Sequence, residues 1–339
     1  MTKQLVILRP APQIVERIFT AEARAALEAA YEVQVLDEGP DVEERFDALL
    51  PRAFAIIGQP DLPAERLARA TELRALLNVE GNFFPNVDYA TCFVRGIHVL
   101  ACGPAYATAV AEYALALALD LARGISREDR AFRAGREGYV SASTGDSILL
   151  TGADVGLVGF GNLGRSLHRL LQPFRPTLRI YDPWLPEAVI AEHGATPSPL
   201  AELLEASEFV FVLATVTAES EHLLGDAELD RIRPGARVVL VSRAAVVDHD
   251  ALLRRVAAGQ FLAAVDVWPT EPVPPDDPAR SLDGLVLSAH RAGGIPAAFA
   301  QIGEMVVDDL ALVARGLPPV RMQVASRDLV TRYRNRPVT

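Results

Sequence analysis

Short apolar runs alternate with segments of helical period from one end of the chain to the other, the pattern of parallel strands joined by crossover helices. The first block predicts strands at Leu5–Leu8, Val33–Leu36, Ala53–Ile57, Leu73–Val79 and Ile97–Leu100, with a helix from about Ile14 to Ala30. The segment Val110–Ala122 is apolar on nearly every face, so it is expected as a helix buried between two layers, marking a crossover between domains. A second set of strands follows at Val155–Gly159, Leu178–Tyr181, Phe209–Leu213, Arg237–Val241, Ala263–Val267 and Leu285–Ser288. The Pro-rich stretch Pro269–Pro278 is too stiff and too poor in donors to be a regular element. A last helix, about Pro296 to Arg315, and the tail to Thr339 are expected to return to the first domain. The fold class is therefore α/β, with two mainly parallel sheets.

Length agrees: 339 residues at ~150 per domain suggest two domains. Composition narrows the partners. Apolar stretches are broken by charge or Gly short of the ~20 residues of a membrane span, so no membrane is expected. A net charge of -11, from 33 basic and 44 acidic residues, argues against nucleic acid. Two cysteines, Cys92 and Cys102, and no signal-like segment after Met1 point to the cytoplasm without a disulfide framework. Lys3 is the only lysine, which disfavours Schiff-base chemistry and a phosphate loop ending in Lys-Ser or Lys-Thr. Arg127, Arg130 and Arg133, three apart in the polar stretch Arg123–Asp146, read as a solvated or subunit-facing helix face. His98, His168, His193, His222 and His249 share no metal-ligand spacing with a Cys or a second His, so no metal site is expected. Ser220, Glu221 and His222 are adjacent and cannot converge as a triad.

The run VGLVGFGNLGRSLHRLL places Gly159-x-Gly161-x-x-Gly164 directly after an apolar strand and at the start of an amphipathic helix. In that context Gly159 allows a tight turn, Gly161 lets a pyrophosphate approach the backbone, and Gly164 permits close helix–strand packing. Asp182 ends the next strand, eighteen residues beyond Gly164, where a carboxylate accepts from ribose hydroxyls and repels a 2′-phosphate. Pro183, Trp184 and Leu185 follow without a cation, so NAD is expected rather than NADP. Three more residues lie at the C-terminal ends of later strands, where open α/β sheets place ligands: Arg243, Glu271 and His290. Reduction of a 2-oxo acid needs a cation for the carboxylate and carbonyl and a proton donor for the nascent alkoxide, and Arg243 and His290 are of those types. Glu271 could orient the imidazole and favour its charged form.

These residues, with NVEGNFFPNVD (78–88), TAVAE (108–112), GFGNLG (159–164), YDP (181–183), SRAAVVD (242–248), DVWPTEP (266–272) and SAHRAGG (288–294), make the chain resemble the D-isomer-specific 2-hydroxyacid dehydrogenase family. The resemblance implies two Rossmann-like or flavodoxin-like domains. A coenzyme domain, 106–294, would be inserted into a discontinuous substrate domain made of 1–105 and 295–339. It also implies an Arg–Glu–His catalytic set, coenzyme contacts at Asn162, Leu163, Thr215, Ser220, Ser242 and Asp266, and a homodimer built on the coenzyme domains.

The chain departs from the family pattern in three places. Ala244-Ala245 stand where Gly-Gly usually follows the arginine, Thr215 stands where Pro often faces the adenine, and Phe83 fills the second glycine of the substrate loop. The substrate residues implied are Gly81, Asn82 and Phe83, with Phe83 and Phe84 offering apolar lining. Arg291, directly after His290, is a candidate to meet a second anionic group, against the plainer reading that it points away, holding a backbone carbonyl or facing solvent. The expected function is NAD-dependent interconversion of a 2-oxo acid and a D-2-hydroxy acid; the alternative is an NAD(H)-sensing, corepressor-like protein with a vestigial site.

Overall fold

The computed structural model describes residues 3–140 and 144–332; the end of the expected tail, and part of the polar stretch 123–146, lie outside the described residues. The chain divides into two compact units, 1–106 with 294–339, and 107–293.

In the first unit, strands β1 (Leu5–Arg9), β2 (Glu32–Val35), β3 (Ala53–Gly58), β4 (Ala75–Asn78) and β5 (His98–Ala101) run parallel. A short β13 (Gln323–Val324) adds antiparallel to β5, giving the order β13-β5-β4-β3-β1-β2. Leu5, Val6, Ile7 and Leu8 are each 2% exposed or less, because both faces of β1 are covered. Alternation sends Val6 and Leu8 to one core, with Ile57 and Leu77, and Leu5 and Ile7 to the other, with Phe46 and Leu67. The first core is completed from the far end of the chain. The helix Pro296–Ala314 buries Ile302, Met305, Val306 and Leu310 against it at three- and four-residue spacing. Gly303 is required where this helix meets the chain at Ile18: a Cβ there would fall 2.5 Å from the Ile18 carbonyl oxygen.

Two expectations change here. The single helix over 14–30 is broken into Val15–Ile18 and Ala21–Ala30, because Thr20 adopts an extended conformation and its hydroxyl accepts from the Ala23 amide at 3.1 Å as an N-cap. Strand β13 was not predicted from its two residues. Asp309, fully buried in the helix Pro296–Ala314, accepts from the amides of Val320, Arg321 and Met322 and so delivers the chain to β5.

The second unit is a seven-stranded, all-parallel sheet in the order β12-β11-β10-β9-β6-β7-β8. Its strands are β6 (Asp154–Val158), β7 (Thr177–Tyr181), β8 (Thr196–Pro197), β9 (Phe209–Val212), β10 (Arg237–Leu240), β11 (Leu262–Val265) and β12 (Leu285–Leu287). The two-residue β8 was not predicted; it is an edge strand, where a Pro removes no ladder bond that the sheet needs. The chain winds outward from β6 through β7 and β8, then returns to β9 on the other side and winds through β12. The loops leaving β6 and β9 therefore diverge, opening a crevice at the C-terminal edge. The helix Gly103–Arg123 is longer than the expected Val110–Ala122, and the boundary between the units falls in its first turns. It is long and apolar enough to span a bilayer by composition alone, but half of its most apolar stretch is buried in the protein.

Candidate active site

At the crevice, β6 ends at Val158 and the chain turns at Gly159, whose φ of +98° suits glycine. A Cβ on Gly164 would fall 2.5 Å from the Gly159 carbonyl oxygen, so the helix Asn162–Leu171 packs directly on the turn. Gly161 is the opposite case. A Cβ there would meet nothing within 4 Å, leaving open space beside amides of the first helical turn, which carries Asn162 and Leu163. Amides without intrahelical partners and the aligned peptide dipoles make such a space favourable for a phosphate. Asp182 closes the far side: its Oδ2 accepts from the Phe160 amide at 2.8 Å and its Oδ1 from the Trp184 amide at 3.1 Å. Arg165, which the motif reading passed over, lies with its guanidinium carbon 5.8 Å from the Phe160 ring centroid.

Ser220, expected as a coenzyme contact, is buried and tied into its own loop. Its hydroxyl donates to the Thr215 carbonyl and accepts from the Thr217 amide at 2.8 Å, which shapes the turn carrying the half-buried Thr215. Ser242 does suit a ligand, since its Oγ is buried without a hydrogen-bond partner among the described residues. A buried hydroxyl left in that state is costly unless something else meets it. Open space at Gly161, an anchored carboxylate at Asp182 and the orphaned Ser242 hydroxyl together fit a dinucleotide laid across the edge.

At the other end of the same edge, β10, β11 and β12 are consecutive neighbours, and each is followed by one member of the predicted set. Arg243 is half-buried, and its Nη1 donates to the Ser242 carbonyl at 2.7 Å. His290 Nδ1 lies 2.8 Å from Glu271 Oε2, with the two side chains 35% and 33% exposed, reachable from solvent yet fixed. Glu271 is held in turn: its Oε1 accepts from the Trp268 amide at 3.0 Å. His290 has a left-handed φ of +51°. Asp266, expected at the coenzyme, is fully buried, and its oxygens accept from the amides of Arg291 at 2.8 Å and Ala292 at 3.0 Å. The structure thus occupies Asp266 with the segment that carries His290. Arg291 is exposed, and its backbone is fixed through that amide.

Residues 115–292 match the model of the D-isomer specific 2-hydroxyacid dehydrogenase, NAD binding domain. The chain belongs to the D-isomer specific 2-hydroxyacid dehydrogenase family. Glyoxylate reductase of Korarchaeum cryptofilum is 31% identical over 265 residues, 76% of this chain and 78% of that protein. D-3-phosphoglycerate dehydrogenase of Archaeoglobus fulgidus is 28% identical over 78% of this chain, which spans only 50% of the longer enzyme. Among solved structures, a phosphoglycerate oxidoreductase from Rhizobium etli is 45% identical and superposes with a TM-score of 0.88, covering 96% of this chain and 99% of its own. The second unit is accordingly an NAD-binding oxidoreductase domain of this family.

Departures from the family pattern now have physical readings. Ala244 and Ala245 lie in a short 3-10 turn, Ala244–Val246, outside the left-handed region, so this turn does not use the freedom of glycine. In the first unit, the loop after β4 is braced by Asn78, whose Oδ1 accepts from the Glu80 amide at 2.7 Å and whose Nδ2 donates to the Asn82 carbonyl at 3.0 Å. Glu80 Oε1 accepts from Gln13 Nε2 at 2.8 Å. The expectation that Phe83 and Phe84 supply apolar lining is corrected. They are 3% and 5% exposed, and the Phe83 ring packs edge-on to Tyr89 in the core, because two large rings gain more from burial than from solvent. The Phe83 and Phe84 rings are therefore part of the packing of the first unit.

Proposed function

We propose that this chain interconverts a small 2-oxo acid and the corresponding D-2-hydroxy acid with NAD, His290 acting as acid and base. The observation that carries the reading is the 2.8 Å pair of His290 Nδ1 and Glu271 Oε2 at the ends of adjacent strands. An ionised carboxylate only accepts, so Nδ1 donates to Glu271, and Nε2 is the nitrogen that gives a proton to the substrate oxygen in reduction and takes one in oxidation. Arg243 holds the substrate carboxylate and polarises the carbonyl with one planar, forked cation. Gly81, Asn82 and the Phe83 amide belong to the substrate loop of a substrate domain formed by 1–105 and 295–339. Bound NAD supplies the hydride acceptor in one direction and the donor in the other. Gly159, Gly161, Gly164, Asn162 and Leu163 cradle its phosphates, Asp182 its adenosine ribose, and Thr215 and Ser242 the remainder.

The glyoxylate reductases and phosphoglycerate enzymes among the relatives suggest the substrates to try. The decisive assay follows NADH loss with glyoxylate, hydroxypyruvate, pyruvate and 3-phosphohydroxypyruvate, using wild type and His290→Ala. Turnover of none of them, or undiminished turnover in His290→Ala, defeats the reading.

The protein also acts as a homodimer through its coenzyme units. Support comes from Ile125, Phe132, Tyr139, Val140 and Leu149, large side chains that are 59–83% exposed within one stretch of the second unit. Phe132→Asp should give a monomer in sedimentation; a wild type that is already monomeric refutes the dimer.

A further inference from the structure

The His290 segment is enclosed by a ring of hydrogen bonds that no motif announces. The His290 amide donates to the Asp266 carbonyl at 2.7 Å, and the Asp266 carboxylate collects the next two amides. One buried residue thereby gathers three successive amides and holds His290 at φ +51°, a left-handed conformation that is uncommon for a residue with a Cβ. The third donor to that carboxylate is the Ser288 hydroxyl. The Ser288 carbonyl accepts from Trp268 Nε1 at 2.7 Å, the Trp268 amide donates to Glu271, and Glu271 accepts from His290 Nδ1, which closes the ring.

One further group enters from outside. Tyr113, on the helix Gly103–Arg123 and 175 residues away in sequence, places its hydroxyl 2.7 Å from Ser288 Oγ. Distance alone leaves the direction of this bond open, and chemistry decides it. A carboxylate cannot donate, so the Ser288 proton points to Asp266 and the Ser288 oxygen accepts from Tyr113. The order is Tyr113 O–H to Ser288 O–H to Asp266 carboxylate, each donor polarised by the next acceptor.

We propose that Tyr113 and Ser288 are positioning residues for catalysis. Their paired hydroxyls fix the Asp266 carboxylate, and through it the strained backbone that aims the His290 ring. The proposal rests on His290 being the acid and base. Removing the Ser288 hydroxyl leaves Asp266 Oδ1 with one donor fewer and lets the His290 segment relax from its left-handed conformation. The imidazole then remains attached to Glu271 but is displaced from the proton it must transfer.

The test uses the full chain as wild type, Ser288→Ala, Ser288→Thr, Tyr113→Phe and His290→Asn. It measures kcat on a 2-oxo acid that wild type reduces, NADH affinity by fluorescence, and Tm. Ser288→Ala should lower kcat about 10- to 100-fold, since sub-ångström to 1 Å misplacement of an acid has effects of that size. NADH affinity should be unchanged, and Ser288→Thr should recover most of the loss. Tyr113→Phe should lower kcat by a smaller factor, about 3- to 10-fold, because it weakens the polarising bond without deleting the donor to Asp266. Wild-type kcat in both Ser288→Ala and Tyr113→Phe overturns the proposal, as does a fall in kcat that NADH affinity and Tm share in proportion. Should Ser288→Ala not fold, Tyr113→Phe decides by the same criterion. His290→Asn separates the two levels: if it turns over normally, the acid–base reading itself fails and the proposal with it. If it is inactive while the hydroxyl variants are normal, only the positioning role fails.

Discussion

The Phe160 amide donates to Asp182 Oδ2 at 2.8 Å, so the middle of the glycine turn is tied to the end of the neighbouring strand. That bond does two things. It fixes the height of the turn above the sheet, and it anchors the carboxylate that, in the proposed function, meets the adenosine ribose.

A fixed negative charge at that point should reject a 2′-phosphate. Wild type is expected to favour NADH over NADPH in kcat/KM by about 100-fold, roughly 3 kcal/mol. Asp182→Ala should reduce the ratio by about 10-fold or more, mainly by improving NADPH. Equal use of both coenzymes by wild type contradicts the assignment.

His290→Ala should lower kcat by ~10²–10⁴ while NADH affinity is retained, because the imidazole is paired with Glu271 rather than with the coenzyme edge. Glu271→Gln keeps an acceptor for Nδ1–H but removes the charge, so its loss should lie between wild type and Glu271→Ala. Steady-state kinetics with separate NADH titrations check the ordering.

Arg243→Lys should behave almost as badly as Arg243→Ala. A compact ammonium cannot span carboxylate and carbonyl together, so KM for the oxo acid should rise and kcat fall, by ~10²-fold or more in kcat/KM. Recovery of near-normal kcat/KM by Lys shows that a point charge suffices and removes the forked clamp.

Arg291 is exposed, one residue after His290. If it meets a second anionic group, Arg291→Ala should raise KM for 3-phosphohydroxypyruvate by about 10-fold, because alanine cannot form the charge-assisted pair with the phosphate, and leave glyoxylate unaffected. Equal effects on both substrates assign the side chain to solvent.

Acid should destabilise the fold through one buried and one half-buried histidine, His168 and His249. Burial holds the pKa values of His168 and His249 below the ordinary imidazole value of 6.5, so both are neutral in the native protein. Below about pH 6.5 the unfolded chain takes up protons that the folded chain does not, so their contribution is present above that pH and lost as pH falls. The His249 ring packs edge-on against Trp268 at 5.2 Å, and both its nitrogens are buried without hydrogen-bond partners among the described residues. His249→Phe should therefore keep the packing and show a smaller fall in Tm between about pH 7 and pH 5 than wild type. An identical fall in both proteins removes His249 as a cause.

The larger pattern of the fold was legible because buried parallel strands are continuous apolar runs, as in Val155–Val158 and Phe209–Val212. What escaped were features decided by single polar contacts or by tertiary pairing. Thr20 interrupts a helical period only because its hydroxyl finds the Ala23 amide, and β13 exists only because Asp309 steers the chain to β5. In the site, the glycines, Asp182 and the His290–Glu271 pair could be read from motif and strand end. Ser220 and Asp266 sit in the same motifs, yet the Ser220 side chain serves its own loop and the Asp266 side chain the segment that carries His290. Phe83 looked like pocket lining because a loop position hides which way a ring turns. Tyr113 had no signal at all, since its partner lies 175 residues away.

Because the first unit is built from both ends of the chain, its birth on the ribosome is interrupted. The strands β1 to β5 emerge with one face lacking Ile302, Met305, Val306 and Leu310, which are made only after the whole of 107–293. At ~5–20 residues per second that interval lasts about 10–40 s. Throughout it, the apolar residues of β1, β3 and β4 on that face, Leu8, Ile57 and Leu77 among them, wait uncovered, a standing target for chaperones, while the inserted unit has all its own strands in hand and can close first.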